Sequence, residues 1–220
     1  MPVPPPTRDE ARRATVLFNL GVSHERGVGV ARHEANALRF YQQAAARGHA
    51  DAQCRLGVCF ATGELCVARD WAEAARYYAL AAAQGLDVAQ CNLGLCFQLG
   101  KGVAQDWAEA VRYYRLAAEQ GLALAQCNLG RCFERGTGVA QDSAEAVRYY
   151  RLATAQPEGA MSSEQRALVL AACDALARSR DVAAACCLGC GLRRAAQAQE
   201  VLQVPGRTVL RRRVRRARVA

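Results

Sequence analysis

Apolar residues recur at helical spacing in pairs of short segments that glycine-rich turns separate. In the clearest pair, the apolar face of the first segment consists of Ala89, Leu93, Gly94 and Phe97. The sequence Gly-Lys-Gly at 100–102 then interrupts the helix, because glycine accepts the positive φ that a sharp turn requires. The apolar stripe of the second segment consists of Ala110, Tyr114 and Ala117. Since Gly121 ends this stripe, the pattern predicts a pair of helices between 89 and 121.

An aspartate precedes the second helix of each later pair, and a glutamate follows it three residues further on. The three examples are Asp70 with Glu73, Asp106 with Glu109, and Asp142 with Glu145. This spacing predicts a capping box, in which the aspartate accepts hydrogen bonds from free helix amides and the glutamate reaches back. His33 and Asn36 are a weaker version of the same signal, and Thr7 with Glu10 predicts the start of the first helix.

The helix pairs repeat with a period of 36 or 37 residues. Equivalent glycines mark this period, namely Gly21, Gly57, Gly94 and Gly130. The one additional residue lies in the turn from Gly63 to Asp70. A period of this size predicts a solenoid in which each unit is a single helix–turn–helix element. The fourth unit has Gln156 and Pro157 where the others have a closing glycine, so regular stacking is predicted to stop there.

One full unit reads AQCNLGLCFQLGKGVAQDWAEAVRYYRLAAEQG, from Ala89 to Gly121, and it resembles the Sel-1-like repeat, a relative of the tetratricopeptide repeat. The resemblance covers about residues 13–156 in four units. It implies an all-α fold, an α-solenoid in which antiparallel helix pairs form a right-handed superhelix. It also implies a scaffold for protein assembly that has no shared active site, so neither enzymatic activity nor a cofactor is expected.

The repeat pattern and the composition divide the chain into four parts. Residues 1–8 form a proline-rich extension, and residues 9–157 form the repeat array, with units at about 13–50, 51–86, 87–122 and 123–157. Residues 158–200 are predicted to form a helical cap, because an array of stacked repeats leaves an apolar face open at its end. The residues expected to cover the last helix are Leu168, Ala172, Ala175 and Leu176. Residues 201–220 form an arginine-rich tail that is predicted to be disordered.

The net charge of +9 is concentrated at the C-terminal end of the chain. Residues 192–220 contain nine arginines and one glutamate, which gives +8 and leaves +1 for all the preceding residues. A solvated tail is the first interpretation, while nuclear import and contact with nucleic acid or an anionic surface stay open as alternatives. No stretch is apolar enough for a signal peptide or a membrane span, so we expect a cytoplasmic monomer, or a nuclear one if the tail acts in import.

Eleven cysteines raise the question of metal or redox chemistry. In three first helices the cysteines lie at i and i+5, about 140° apart around the helix, so the two cannot bind one metal ion. Equivalent cysteines of neighbouring units would lie roughly 10 Å apart, which is too far for shared zinc–thiolate bonds. We interpret these cysteines as small apolar core residues. A thiol-dependent redox protein or a metal-binding protein is the alternative.

Other motifs that could carry chemistry are weaker. Cys187 and Cys190 form a Cys-x-x-Cys pair, but no second ligand pair follows it. His24, His33 and His49 have no carboxylate pair nearby and do not form a catalytic set. The Gly-x-Gly sequences lie between helices, with no preceding strand, and are predicted to be turns, not phosphate loops.

The expected function is to hold a partner peptide or protein in the concave groove of the array. By analogy with tetratricopeptide repeats, the residue two positions before the Leu-Gly leucine faces this groove, and a second set of residues lies beside it. The predicted groove residues are Phe18, Val22, Cys54, Val58, Cys91, Leu95, Cys127, Arg131, Glu134 and Arg135. The middle of this surface is mildly apolar and its ends are charged, which suits an extended or helical peptide.

Overall fold

A computed structural model describes residues 7–156 together with residues 169, 171 and 173. Its helices are α1 (Arg8–Arg26), α2 (Glu34–Ala46), α3 (Ala50–Thr62), α4 (Trp71–Ala83), α5 (Asp87–Leu99), α6 (Trp107–Glu119), α7 (Ala123–Arg135) and α8 (Ser143–Ala155). No β-strand occurs among these residues, so the predicted all-α helical-repeat fold is confirmed. The chain divides into two compact units, Met1–Gln105 with α1 to α5 and Asp106–Ala220 with α6 to α8. Within each unit, every helix packs against the next one along the chain.

The turns follow the sequence signals closely. Each first helix ends at a glycine in the left-handed conformation, and these glycines are Gly27, Gly63, Gly100 and Gly136. Each later second helix begins at an aspartate whose carboxylate accepts hydrogen bonds from two backbone amides; these are Asp70, Asp106 and Asp142. The glycine-rich sequences are therefore helix ends, as predicted.

One part of the capping prediction is wrong. The glutamates three residues after these aspartates do not reach back to the cap; they pair with an arginine on the next turn of the same helix. Glu73 Oε2 lies 2.7 Å from an Arg76 guanidinium nitrogen, and Glu109 and Arg112 are paired in the same way. The reciprocal capping box forms at Thr7 and Glu10, where a threonine occupies the cap.

The repeat glycine inside each first helix has a steric role. A Cβ atom on Gly57 would lie 2.6 Å from the ring of Tyr78, and one on Gly130 would lie 2.7 Å from the ring of Tyr150. Both rings are completely buried. The absence of a side chain therefore allows the tyrosine of the second helix to lie directly on the backbone of the first helix.

The glutamine of the repeated Ala-Gln pair joins neighbouring repeats. Gln53 donates from Nε2 to the carbonyl oxygen of Ala45 at 3.2 Å, and Gln126 donates to the carbonyl oxygen of Ala118 at the same distance. Both glutamines are buried, and each acceptor lies in the last turn of the second helix of the preceding repeat. Each of these carbonyl oxygens also accepts the amide of the glycine after its helix, Gly48 for Ala45 and Gly121 for Ala118, so the glutamine adds a further hydrogen bond to the helix end.

The last repeat ends as the sequence predicts. Gln156 is extended, so α8 stops before Pro157 without a left-handed glycine. Val169 and Cys173, which are helical, are buried, and the Cys173 sulfur lies 4.0 Å from the Val147 carbonyl oxygen of α8. The four residues predicted to form the cap lie outside the described residues, as do the Cys-x-x-Cys pair and the arginine-rich tail.

Candidate partner-binding surface

The first compact unit, Met1–Gln105 with helices α1 to α5, contains six of the ten predicted groove residues. Phe18, Val22 and Leu95 are half-buried and keep part of their surface in solvent. Cys54, Val58 and Cys91 are buried, with exposures of 0%, 2% and 2%. These three side chains belong to the packing between helices and do not present a surface that a partner could contact.

Phe18 is held in place by aromatic neighbours from the same unit. Its ring stacks on the imidazole of His49 with the ring centres 4.8 Å apart, and it tilts against Tyr41 at 5.7 Å. Two aromatic contacts restrict the rotamer of Phe18, so its exposed edge is a preorganised apolar contact point.

The second unit contains the other four predicted groove residues. Arg131 and Arg135 are half-buried, whereas Cys127 and Glu134 are buried. An Arg131 guanidinium nitrogen donates to Asn128 Oδ1 at 2.7 Å, which holds it along its own helix. Glu134 accepts a 2.6 Å hydrogen bond from the hydroxyl of Tyr150, so its carboxylate is committed to the core.

Five of the ten predicted groove residues are buried, and the other five keep part of their surface in solvent. The accessible ones are Phe18, Val22, Leu95, Arg131 and Arg135. The correction has a physical reason. Helix α3 packs against both α2 and α4, and α7 packs against both α6 and α8, so a small side chain between two such neighbours is covered.

A buried ion-pair network couples the first two repeats, and the sequence analysis missed it. Arg55, only 2% exposed, donates to both oxygens of Glu25 at 3.0 and 2.7 Å and to Glu64 at 3.0 Å. The Tyr41 hydroxyl donates to the same Glu25 at 2.6 Å, and its pKa is raised by burial and by that carboxylate. The signal was an arginine in the apolar segment QCRLGVCF, where the equivalent segments have asparagine.

The cysteine thiols lie where nucleophilic chemistry is disfavoured. Burial raises the pKa of Cys59, Cys96 and Cys127 to about 12, and it raises that of Cys54 further. A thiol with such a pKa is protonated at neutral pH and is a poor nucleophile and a poor metal ligand. No group of three or more histidine, cysteine or acidic side chains suited to a metal occurs among the described residues. Cys66 differs from the other described cysteines because it is exposed.

The three histidines have structural roles. The Nδ1 atoms of His33 and His49 accept hydrogen bonds from the amides that open α2 and α3, at 3.2 and 3.4 Å. His24 stacks on Phe40 with the ring centres 5.4 Å apart. Each histidine thus acts as a helix cap or a packing group, and no nucleophile stands beside it in these contacts.

The exposed surface of the second helices repeats a stack of charged and aromatic groups. Arg76 lies over the ring of Tyr77 at 4.3 Å, and that ring stacks on Phe60 at 5.7 Å. In the second unit Arg148 lies over Tyr149 at 5.2 Å in the same way. Glu73 pairs with Arg76 and Glu145 pairs with Arg148, so each of these two stacks includes a neutralising carboxylate.

None of the helices within the described range is long and apolar enough to cross a membrane.

Comparison with known proteins agrees with this architecture. The Sel1 repeat model matches residues 14–49, 50–86, 87–122 and 123–157. A crystal structure of c5321, a protective antigen present in uropathogenic Escherichia coli strains displaying an SLR fold, is 34% identical with a TM-score of 0.64. That match covers 69% of this chain and 32% of the c5321 chain, so this chain spans about a third of that structure. No curated protein sequence matches the chain.

A second solved structure covers more of both molecules. It is a Sel1 repeat protein from Oxalobacter formigenes, 31% identical with a TM-score of 0.67, and the match covers 85% of this chain and 75% of that one. Each of the four matched segments contains two helices, and the contact between the repeat glycine and a tyrosine ring recurs in the first, second and fourth segments. This chain belongs to the Sel1 repeat family.

Proposed function

We propose that this protein is a non-catalytic scaffold or adaptor that binds a partner protein through the accessible side of its first helices. The observation that carries the proposal is the four-fold Sel1 repeat itself, because repeats of this family generally mediate protein–protein interactions. The buried thiols and the capping histidines favour this function over a thiol-dependent or metal-dependent one.

The accessible residues of the first unit suit an apolar partner segment. Phe18, Val22 and Leu95 are uncharged, and Phe18 is fixed by its stacking on His49. A preorganised aromatic edge loses little rotamer entropy when a partner covers it, which makes Phe18 the best candidate for an anchoring contact. The partner should supply leucine-like or aromatic side chains to this unit.

The accessible residues of the second unit suit an acidic partner segment. Arg131 and Arg135 lie on the same helix four residues apart, so their guanidinium groups project from one face. Arginine at a protein interface pairs well with carboxylates because its guanidinium donates two parallel hydrogen bonds. A partner that binds this unit should carry aspartate or glutamate.

The test is affinity capture from the native cell, identification of the captured protein, and a binding measurement with purified components. Leu95→Glu should weaken binding of an apolar segment at least about tenfold, and Arg131→Glu should do the same for an acidic segment. The matched controls are Leu80→Glu and Arg151→Glu, which place the same charge at exposed positions of second helices.

Circular dichroism must show that all four variants keep their helical content. If the two control substitutions weaken binding as much as the two first-helix substitutions, the partner binds the second helices and the proposed surface is incorrect. Unchanged binding by Leu95→Glu and Arg131→Glu together would exclude the first-helix surface altogether.

A further inference from the structure

His49 stands at a helix start where the later repeats have leucine. It precedes α3, whereas Leu86 precedes α5 and Leu122 precedes α7, and neither leucine side chain bonds to its helix. A helix therefore begins at this point of the repeat without a polar cap. His49 makes two interactions that leucine cannot make, namely a hydrogen bond to the helix and a stack on the ring of Phe18.

Both interactions use the same imidazole ring. Its Nδ1 accepts a hydrogen bond from the Ala52 amide at 3.4 Å. Its plane lies against the ring of Phe18, with the ring centres 4.8 Å apart and an angle of 17° between the two planes. Since Nδ1 accepts only when it carries no proton, the hydrogen bond requires this nitrogen to be unprotonated. The ring orientation that holds Phe18 is thus the one that suits a neutral imidazole.

A second partner for Nδ1 lies close by. Asp51 Oδ2 is 3.9 Å from this nitrogen, and the Asp51 side chain is 41% exposed. A protonated Nδ1 is a donor, so it can no longer bond to the Ala52 amide, which is also a donor. The Asp51 carboxylate, in contrast, attracts it and can accept its proton in a charge-assisted hydrogen bond.

The other described elements around the imidazole do not compete with Asp51 for this proton. Helix α1 faces the imidazole with the uncharged ring of Phe18, and the end of α2 faces it with the Ala44 carbonyl oxygen, which accepts the His49 amide at 3.2 Å. Arg47 donates to the Gln43 carbonyl oxygen at 2.8 Å, along its own helix. Burial lowers the pKa of His49, and Asp51 offsets this only in part, so the stacked position disfavours the cation.

We propose that His49 is a pH-sensitive switch for the Phe18 ring: the neutral imidazole fixes that ring, and a proton on Nδ1 turns the imidazole towards Asp51 and frees it. The effect on binding rests on the proposed function, in which Phe18 is the anchoring contact. A partner that covers Phe18 should bind more weakly at acidic pH, because a freed ring loses more rotamer entropy on binding than a fixed one.

NMR spectroscopy of the full chain tests the switch without a partner. Between about pH 7.5 and about pH 5, which brackets the ordinary pKa of histidine, the Phe18 ring resonances should shift with the same midpoint as the His49 Cε1 proton. His49→Leu, which introduces the residue of the later repeats, should abolish the shift of Phe18. His33→Leu is the matched control and should leave the shift unchanged, because the exposed His33 caps α2 through Nδ1 in the same way.

Circular dichroism at both pH values verifies that each protein keeps its helical content. Phe18 resonances that stay constant while His49 titrates in the unsubstituted chain would overturn the proposal, and this result needs no variant. A shift that persists in His49→Leu would also overturn it, since another group would then move the Phe18 ring.

The captured partner separates the switch from the proposed binding surface. Its affinity should fall between the two pH values by at least about threefold more for the unsubstituted chain than for His49→Leu. Equal falls for the two proteins, together with the Phe18 shift in the unsubstituted chain, would support the switch and refute Phe18 as the anchoring contact.

Discussion

Replacing one buried tyrosine by phenylalanine should have different consequences in the second and the fourth repeat. Tyr78 and Tyr150 are equivalent and completely buried, and each lies on the glycine of its first helix. The Tyr150 hydroxyl donates to Glu134 at 2.6 Å, whereas that of Tyr78 has no hydrogen-bond partner among the described residues. The sequence explains the difference, because Ala61 stands in the second repeat where Glu134 stands in the fourth.

The structure sets the expected magnitudes. Burial raises the pKa of both tyrosines, so both hydroxyls are protonated donors at neutral pH. Tyr150→Phe removes a hydrogen bond to a carboxylate that is 6% exposed, which should lower the free energy of unfolding by about 1.5–3 kcal/mol. Tyr78→Phe removes a buried hydroxyl without a bond, so the free energy of unfolding should stay the same or rise by about 1 kcal/mol.

Urea unfolding followed by far-ultraviolet circular dichroism measures both effects. The m-values must match that of the wild type, so that a shift in midpoint reports stability alone. A double-mutant cycle that combines Tyr150→Phe with Glu134→Ala, the residue at the equivalent position 61 of the second repeat, isolates the pair and should give a coupling energy of about 1–3 kcal/mol. The reasoning is refuted if Tyr78→Phe destabilises the protein as much as Tyr150→Phe does, because Tyr78 would then have an acceptor.

Three further predictions concern single sites. Gly29→Ala should lower the free energy of unfolding by about 1 kcal/mol, because the glycine has a positive φ. Gly102→Ala should lower it by about 2 kcal/mol more, because the added Cβ would also collide with the Trp71 carbonyl oxygen. Thermal melts of the two variants measure this difference. Burial lowers the pKa of His49, so the unfolded chain binds the imidazole proton more readily than the folded protein does. The free energy of unfolding should therefore fall as the pH drops below about 6.5. His49→Asn keeps an acceptor for the helix cap and should reduce this decline, as measured by urea midpoints. Cys66→Ser should remove one fast-reacting thiol from the native protein in a colorimetric titration, and an unchanged count would mean that Cys66 is protected.

Periodicity was sufficient to predict the fold because the repeat multiplies each weak signal. The predicted core stripe of Ala110, Tyr114 and Ala117 is completely buried in the structure. Helix ends at glycine and helix starts at aspartate are local interactions, and a sequence contains nearly all the information that determines them. The fold class therefore followed from residues that lie close together in the chain.

The candidate surface was harder to predict because exposure depends on contacts between distant segments. Cys54 on α3 and Leu95 on α5 both belong to the set of predicted groove positions, yet Cys54 is buried and Leu95 keeps part of its surface in solvent. The network around Arg55 needs Glu25, which lies 30 residues away in the preceding repeat. Neither fact follows from the periodicity of one helix, since both depend on how adjacent repeats pack.

The second repeat differs from the fourth in two linked features, the position of its carboxylate and the length of its turn. The fourth repeat has its carboxylate on the first helix, at Glu134, where it binds a tyrosine. The second repeat has Ala61 at that position and places Glu64 in the lengthened turn, where it binds Arg55. That turn puts Leu65 and Cys66 in the left-handed conformation, which costs roughly 1–2 kcal/mol for each residue without a compensating contact. The Leu65 side chain is only 5% exposed, and its burial together with the ion pair between Glu64 and Arg55 offsets this strain. The longer turn therefore gives the second repeat a carboxylate that binds a buried arginine, whereas the carboxylate of the fourth repeat binds a tyrosine.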